Sequence, residues 1–389
     1  MAHQETMTAR ERVRLALDHR EADRIPIDLG GFQTGIHLRA YRDLTDYLGL
    51  DEQPAVLDPV QQLAVPSEAV LQRFHCDVRY IGANAAASYD GRIVQRTRDG
   101  KLWHDLRDEW GVVWSMPDDQ GLYMDTTHHP LADATIADLD DYPFPDGSDP
   151  TRFAGLRERA LAMRENTPYA LSSTICGVTY ETCWYLRGLE RWFMDMIENP
   201  AFCAALLDRT SHYWVQWMAG FLGEMGDLLD VVMIGDDLAG QPGPLFSPRF
   251  YRSVVRPRQQ RVIDAVKRHS SAKLWYHTCG DCSVYIPDLI EMGVDALNPV
   301  QISVPGMDAR TLKETWGDQI VFWGGGIDAQ HVLPFATPDE VRRAVRENVE
   351  IFKPGGGYVY NNVHNIQAGV PPENVVAMYE AAYQYGFYD

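Results

Sequence analysis

The sequence predicts an α/β protein: one (β/α)8 barrel over residues 1–389, with an N-terminal helical arm and a β-rich insertion at 85–145 after the second strand. Three observations carry this reading. Eight short apolar, strand-like runs occur at 25–29, 78–81, 169–173, 231–234, 274–276, 296–300, 320–323 and 358–360. From residue 169 onward a helical segment separates each run from the next. Strand–helix–strand repetition needs parallel pairing, and eight such units suggest a closed barrel. Between the second and third runs the pattern switches to antiparallel-type alternation, with Asp90-Gly91 and Asp99-Gly100 as turn signals. The helical segments are unequal in length, which leaves an open doubly wound sheet as the alternative fold. No GxGxxG follows any run, which weakens a dinucleotide-binding reading.

The elements follow in order. Thr8 to Glu11 fits a capping box that opens the helical arm. The first two runs come next, then the insertion, then the loop "FPDGSDP" (144–150) returning to the barrel. Later helices announce themselves by a capping hydroxyl before a proline, at Ser247-Pro248 and Thr337-Pro338. Pro371-Pro372-Glu373 opens the last helix, which carries Val375, Val376, Met378 and Tyr379.

Composition narrows the function. With 45% hydrophobic residues in 389, a large core is available. A net charge of −20 argues against nucleic acid and anionic membrane as partners, because both call for basic surfaces. No apolar stretch approaches the length of a transmembrane helix, and the polar N-terminus lacks signal-peptide character. Six cysteines are too sparse for a disulfide scaffold, so a cytoplasmic, reduced setting is expected. Monomer and homodimer both remain open.

In a (β/α)8 barrel the chemistry gathers at the C-terminal ends of the strands. His277 and Cys279 follow the fifth run, two positions apart, so both side chains point the same way on extended backbone. Imidazole and thiolate suit zinc, and a catalytic zinc keeps one position open. His364 ends the eighth run, and barrel closure brings it toward the same mouth as a third ligand. Three other readings stand beside this one: a hydrogen-bonded structural histidine, a Cys279–Cys282 redox pair, and Cys282 as the alternative ligand. Asp236 and Asp237 follow a glycine at the fourth strand end and suit proton transfer, metal coordination or hydroxyl binding; the bland reading is a loop cap. Glu181 is a third catalytic candidate. Gln33, His37, Tyr180, Gln301 and Asn361 are the strand-end groups assigned to substrate. Trp184, Tyr185, Trp192 and Phe193 are expected to pack as core or interface.

The strings "GDDL…GQPGPLFSPRFYR", "HTCGD", "ALNPVQ", "FWGGGID" and "PGGGYVYNNVHNIQAGVPPENV" resemble the uroporphyrinogen decarboxylase superfamily, over most of the chain. The resemblance implies a (β/α)8 barrel. The superfamily includes porphyrinogen decarboxylases and zinc methyltransferases that work with methylcobalamin. The decarboxylase branch carries arginines after the first strand and an aspartate after the second. Here those places read "GGFQTGIH" and Gly82-Ala83-Asn84. The methyltransferase branch carries a His-x-Cys pair plus a later cysteine, matched by His277 and Cys279 with His364 in place of the cysteine. The resemblance therefore implies a zinc-dependent methyltransferase moving a methyl group between a small, O-methyl or methoxylated substrate and a corrinoid. No DxHxxG corrinoid signature occurs, so the corrinoid is expected on a separate protein or free. The alternative is a metal-free decarboxylase of a non-porphyrin carboxylic acid, using His364 and an aspartate. A non-catalytic barrel is the third reading, and the dense polar strand ends argue against it.

Overall fold

The computed structural model describes residues 4–119, 121–174 and 179–388. Seven strands, Val78–Ile81, Ala170–Ser173, Val231–Gly235, Lys273–His277, Ala296–Asn298, Val321–Trp323 and Tyr358–Val359, form one curled parallel sheet in chain order. Each pairs in parallel with the next, for example Tyr276 with Ile234 on one side and Leu297 on the other.

The run expected at 25–29 is not a regular strand. It contributes only an isolated parallel bridge, Ile27 to Tyr360. The reason lies in its composition. Pro26 has no N–H to donate, and the N–H of Ile27 goes to the Asp77 carboxylate at 2.8 Å instead of to a neighbouring strand. The segment still closes the barrel. Tyr360 N–H donates to Pro26 O, Asp28 N–H to Tyr360 O, and Asp77 N–H to Ile27 O, all at 2.8–2.9 Å. The eighth position is thus occupied, and the fold is a (β/α)8 barrel.

Strand residues facing the barrel axis, among them Val78, Ala170, Val231, Met233, Trp275, Val321 and Trp323, pack together with Val13, Ala16 and Leu17. The last three lie on one face of the helix Ala9–Leu17, capped by the Thr8–Glu11 box. Because Val78, Ala170, Val231 and Val321 begin or nearly begin their strands, this helix plugs the N-terminal end of the barrel. It is pinned there by buried charge. Asp77 accepts from Arg12 Nη1 at 2.6 Å and from Arg24 Nη1 at 2.7 Å, and Arg12 also reaches Asp23 at 2.7 Å.

Above the plug sits Asp28, fully buried, with Tyr80 Oη–H and Trp323 Nε1–H donating to Oδ2 at 2.7 and 2.9 Å. Burial pushes its carboxyl up to about 6. The folded value lies above the unfolded one of about 4. The stabilisation linked to its proton is therefore complete below about pH 4 and lost as pH rises through about 6, on the order of 3 kcal/mol in all. We expect the stability gap between wild type and Asp28→Asn to shift in favour of the variant between those pH values. Thermal melts of both proteins across that range check this, and parallel curves would contradict it.

Within the expected insertion, Ile93–Arg98, Lys101–Arg107, Val113–Pro117 and Asp125–His128 form a four-stranded antiparallel sheet in chain order. Asp99 and Gly100 make the first hairpin, with φ of 49° and 77°, the left-handed pair that a two-residue turn favours. Asp90-Gly91 joins no two strands; it leads into the first of them. The sheet rests on the barrel through Trp114 against Tyr185 (ring centroids 4.8 Å apart), and through Tyr123 Oη–H on Gln367. Among the described residues no helix is long and apolar enough to cross a membrane.

Candidate metal centre at the barrel mouth

The strand Lys273–His277 ends beside Gly235 and Asn298. A Cβ on Gly235 would stand 2.7 Å from the Cβ of His277, so only glycine lets the histidine sit there. His277 Nδ1 lies 2.6 Å from Asn298 Oδ1, and the Asn298 amide is fixed in turn by its Nδ2–H on Trp323 O at 2.9 Å. Asn298 therefore presents an acceptor, the ring proton sits on Nδ1, and the lone pair of Nε2 is directed at Cys279 Sγ, 3.4 Å away. Two ligands of one tetrahedral zinc are separated by about 3.5 Å. One ligand atom from each of His277, Cys279 and His364 falls within 4.8 Å of the others.

Burial lowers the His277 ring to about 4. Burial, and then the neighbouring His277, lower His364 to about 3. Both rings are neutral at pH 7, the state a metal ligand needs. His364 differs in one respect: its Nδ1 accepts the N–H of Asn365 at 2.7 Å. Ligation through Nε2 moves the proton to Nδ1 and breaks that contact, a rearrangement His277 does not need. The donor set of two imidazoles and one thiolate fits zinc far better than magnesium or calcium, which take oxygen.

The structure separates the two aspartates. Asp237 Oδ1 is 3.8 Å from His277 Nε2 and accepts the Cys279 N–H at 2.8 Å, while its side chain keeps 30% exposure at the cavity. Asp236 faces away. Its oxygens accept from the N–H groups of Thr179, Tyr180 and Glu181 and from Gln259 Nε2 at 2.8–3.3 Å, and from Thr179 Oγ1. It anchors the N-terminus of the helix Tyr180–Arg187, where free amides favour a carboxylate. The expectation of a site role for Asp236 is replaced by this structural one. Glu181 lies between: Oε1 accepts the Asp237 N–H at 2.7 Å and Oε2 the Tyr185 hydroxyl at 2.9 Å. Burial, and then the charges of Asp237 and Asp236, push the Glu181 carboxyl well up.

The cluster opens into a cavity of about 400 Å³ lined by Asp237, Gln241, Cys279, Gln301, Gln330 and His364 among others, with no lysine or arginine among the described residues of the lining. Of the five substrate candidates, only Gln301 lines it; its Oε1 also accepts the Gly280 N–H at 2.9 Å. Both nitrogens of His37 are committed elsewhere, Nδ1 to the Arg39 N–H as a helix cap and Nε2 to Leu122 O. Tyr180 is fully buried among Trp184, Trp192 and Phe246. Asn361 Nδ2–H holds Asp28 O at 3.0 Å, and Gln33 is buried outside the lining. Cys282 is buried with its Sγ against Met307 Sδ, away from the cluster. Cys176, another strand-end group, lies outside the described residues. A larger cavity of about 670 Å³ runs beneath the insertion and touches none of the three candidate ligands.

Sequence reasoning missed Asn298, Gln330 and Gln367. Asn298 ends the observed strand Ala296–Asn298 as the register partner of His277, but it lies inside the predicted run 296–300, so no strand-end signal marked it. We expect Asn298→Ala to cost about 10–100-fold in zinc affinity by freeing the His277 ring. Competition with a metal indicator measures it, and unchanged affinity would remove Asn298 from the site.

The fold and its mouth thus define a (β/α)8 protein with a nitrogen- and sulfur-rich cluster where barrel enzymes carry their chemistry. The uroporphyrinogen decarboxylase (URO-D) family matches residues 121–385, and the chain belongs to that family. Among curated relatives, the uroporphyrinogen decarboxylase of Thioalkalivibrio sulfidiphilus is 28% identical over 158 residues, 40% of this chain and 42% of that protein. The one from Alkalilimnicola ehrlichii is 23% identical over 270 residues, 66% and 68% of the two chains. Among solved structures, a methyltransferase from Methanosarcina mazei shares the fold, with a TM-score of 0.62 at 17% identity, covering 98% of this chain and 99% of that one.

Proposed function

We propose that this protein is a zinc-dependent methyltransferase that moves a methyl group between a small O-methyl or methoxylated substrate and a corrinoid carried by another protein, in the cytoplasm. The observation that carries this reading is the convergence of His277, Cys279 and His364, with ligand atoms within 4.8 Å of one another, at the C-terminal end of the barrel, where Cys279 and His364 line the cavity. These three residues would hold the zinc, which when bound supplies Lewis acidity toward a substrate oxygen or sulfur. The chain's own groups do the rest. Asp237 accepts a hydrogen bond from the substrate and fixes the Cys279 loop through its amide. Glu181, held by the Tyr185 hydroxyl, fixes the Asp237 backbone by accepting its N–H. Gln241, Gln301 and Gln330 orient a small polar molecule without adding charge.

The relatives named above are uroporphyrinogen decarboxylases, but the cavity argues for a different substrate here. A porphyrinogen carries several carboxylates, and cations are what bind such groups strongly; this lining has none among the described residues. Metal analysis of the purified protein, paired with a methylcobalamin-dependent transfer assay before and after chelation, tests the proposal. We expect about one zinc per chain, activity lost with the metal, and no saturable uroporphyrinogen binding. A metal-free preparation with full activity would sink the zinc reading, and tight uroporphyrinogen binding would sink the choice of substrate.

A further inference from the structure

The outer face of the insertion sheet has a charge opposite to that of the whole protein. In an antiparallel sheet alternate residues share a face. Leu106 pairs with Trp114, and Trp114 packs on Tyr185, so that face looks toward the barrel. The residues between them look outward: Val94 pairs with Asp105, and Arg96 with Trp103. A groove of about 570 Å³ runs over this outer face, and Arg92, Arg96, Arg98 and Arg107 line it together with His128. Among the described residues, the acids in the lining are Asp90 and Asp105.

Asp105 is already satisfied. Arg98 Nη2 donates to both of its oxygens, Ser115 Oγ–H donates at 2.8 Å, and Arg96 lies 3.4 Å away. Its side chain is only 9% exposed, because the arginines cover it. Arg96 keeps 66% exposure, and the side chain of Arg92 makes no hydrogen bond or ion pair among the described residues. One buried carboxylate thus holds the base of the groove, while Arg92, Arg96 and Arg107 present their charge to water. The chain as a whole carries 55 acidic residues against 35 lysines and arginines.

We propose that this face is a docking surface for an acidic partner protein. Charge complementarity decides the occupant. The cations are spread along the strands and solvated rather than converging on one desolvated point, which suits an extended acidic surface better than a small anion. At physiological ionic strength charges act over about 8 Å, so an acidic partner meets repulsion over most of this molecule and attraction here. Such a distribution fixes the orientation of encounter more than it adds affinity. The docked partner would stand next to the mouth. The same insertion reaches the cavity rim through Tyr123 on Gln367, and Tyr185, beneath Trp114, holds Glu181. The inference does not depend on the metal or on the reaction.

Binding of a labelled poly-L-glutamate peptide to the full chain tests it, at low salt and at about 0.15 M. We compare wild type with the triple variant Arg92→Glu/Arg96→Glu/Arg107→Glu and with the milder Arg92→Gln/Arg96→Gln/Arg107→Gln; Arg98 is left to hold Asp105, and melting temperatures confirm folding. The expected result is saturable, salt-sensitive binding that weakens by about tenfold or more in the charge-reversed protein and by less in the neutralised one. Two controls use tripolyphosphate and phosphatidylserine vesicles. No saturable peptide binding by wild type, or equal binding by all three proteins, overturns the proposal. One-to-one tripolyphosphate binding as tight as the peptide's overturns it in favour of a small-anion pocket, and vesicle binding lost in the variant overturns it in favour of a membrane surface.

Discussion

Replacing Cys279 by serine is expected to remove zinc and activity together. A neutral hydroxyl is a poor zinc donor, while the thiolate is the one anionic member of the His277–Cys279–His364 set. Disturbing an outer-shell partner of a metal ligand already costs about 10–100-fold in affinity or activity. Losing the thiolate itself should exceed the upper end of that range. The change is nearly isosteric and Cys279 is only partly buried, so the fold should persist. Zinc content by elemental analysis and turnover, measured on the same preparation, separate the outcomes. Joint loss with an unchanged melting temperature supports a metal site. A metal-free preparation with full turnover, unchanged in Cys279→Ser, would show that the thiol merely packs, and would leave the two histidines to bind substrate directly.

Asp77→Ala is expected to be the most damaging single change to stability. Asp77 receives Arg12, two nitrogens of Arg24 and the Ile27 N–H, and both arginines are almost wholly buried. A buried ion pair adds modest net stability, but deleting one partner strands the other charge and costs about 3–5 kcal/mol. Here two guanidiniums lose their common carboxylate. The same deletion frees the Ile27 amide that fixes the eighth position of the barrel. Denaturant titration of wild type and Asp77→Ala measures the loss. A difference below about 1 kcal/mol would mean that Asp23 and Glu5 suffice to hold both arginines.

The barrel was legible because strands buried on both faces read as continuous apolar runs. "VVMIG" and "KLWYH" fill their places in the sheet almost residue for residue. The run at 25–29 reads the same way, yet its pairing depends on where the Ile27 N–H goes, and that is decided by a carboxylate 50 residues away. The metal candidates were legible for a related reason. Position at a strand end is a local property, and two ligands two residues apart must share a side. Function within the pair Asp236-Asp237 was not legible. The two are adjacent, both follow Gly235, and what distinguishes them is the set of amides at Thr179, Tyr180 and Glu181, more than 50 residues earlier in the chain. His37 shows the opposite failure: it stands after a predicted strand, but its ring is spent on capping a helix and holding the insertion. A strand-end position puts a residue near the mouth without saying which way its polar atoms face.

The closure of the barrel by residues 24–28 also constrains how the chain comes together in time. Arg24 bridges Phe387, the Ile25 N–H donates to Gly386 O, and Pro26 and Asp28 bond Tyr360. The first barrel segment to leave the ribosome therefore finds part of its pairing far along the chain, at residues 360, 386 and 387. Its other anchors, Asp77 and the Ala9–Leu17 plug, are close in sequence and can form early. A nascent chain would carry an assembled lower corner around Arg12, Asp77 and Arg24 while its seam stayed unzipped until residues 360–387 had been made. Contacts of such long range form slowly, and they leave apolar strand surface exposed to other chains in the interval.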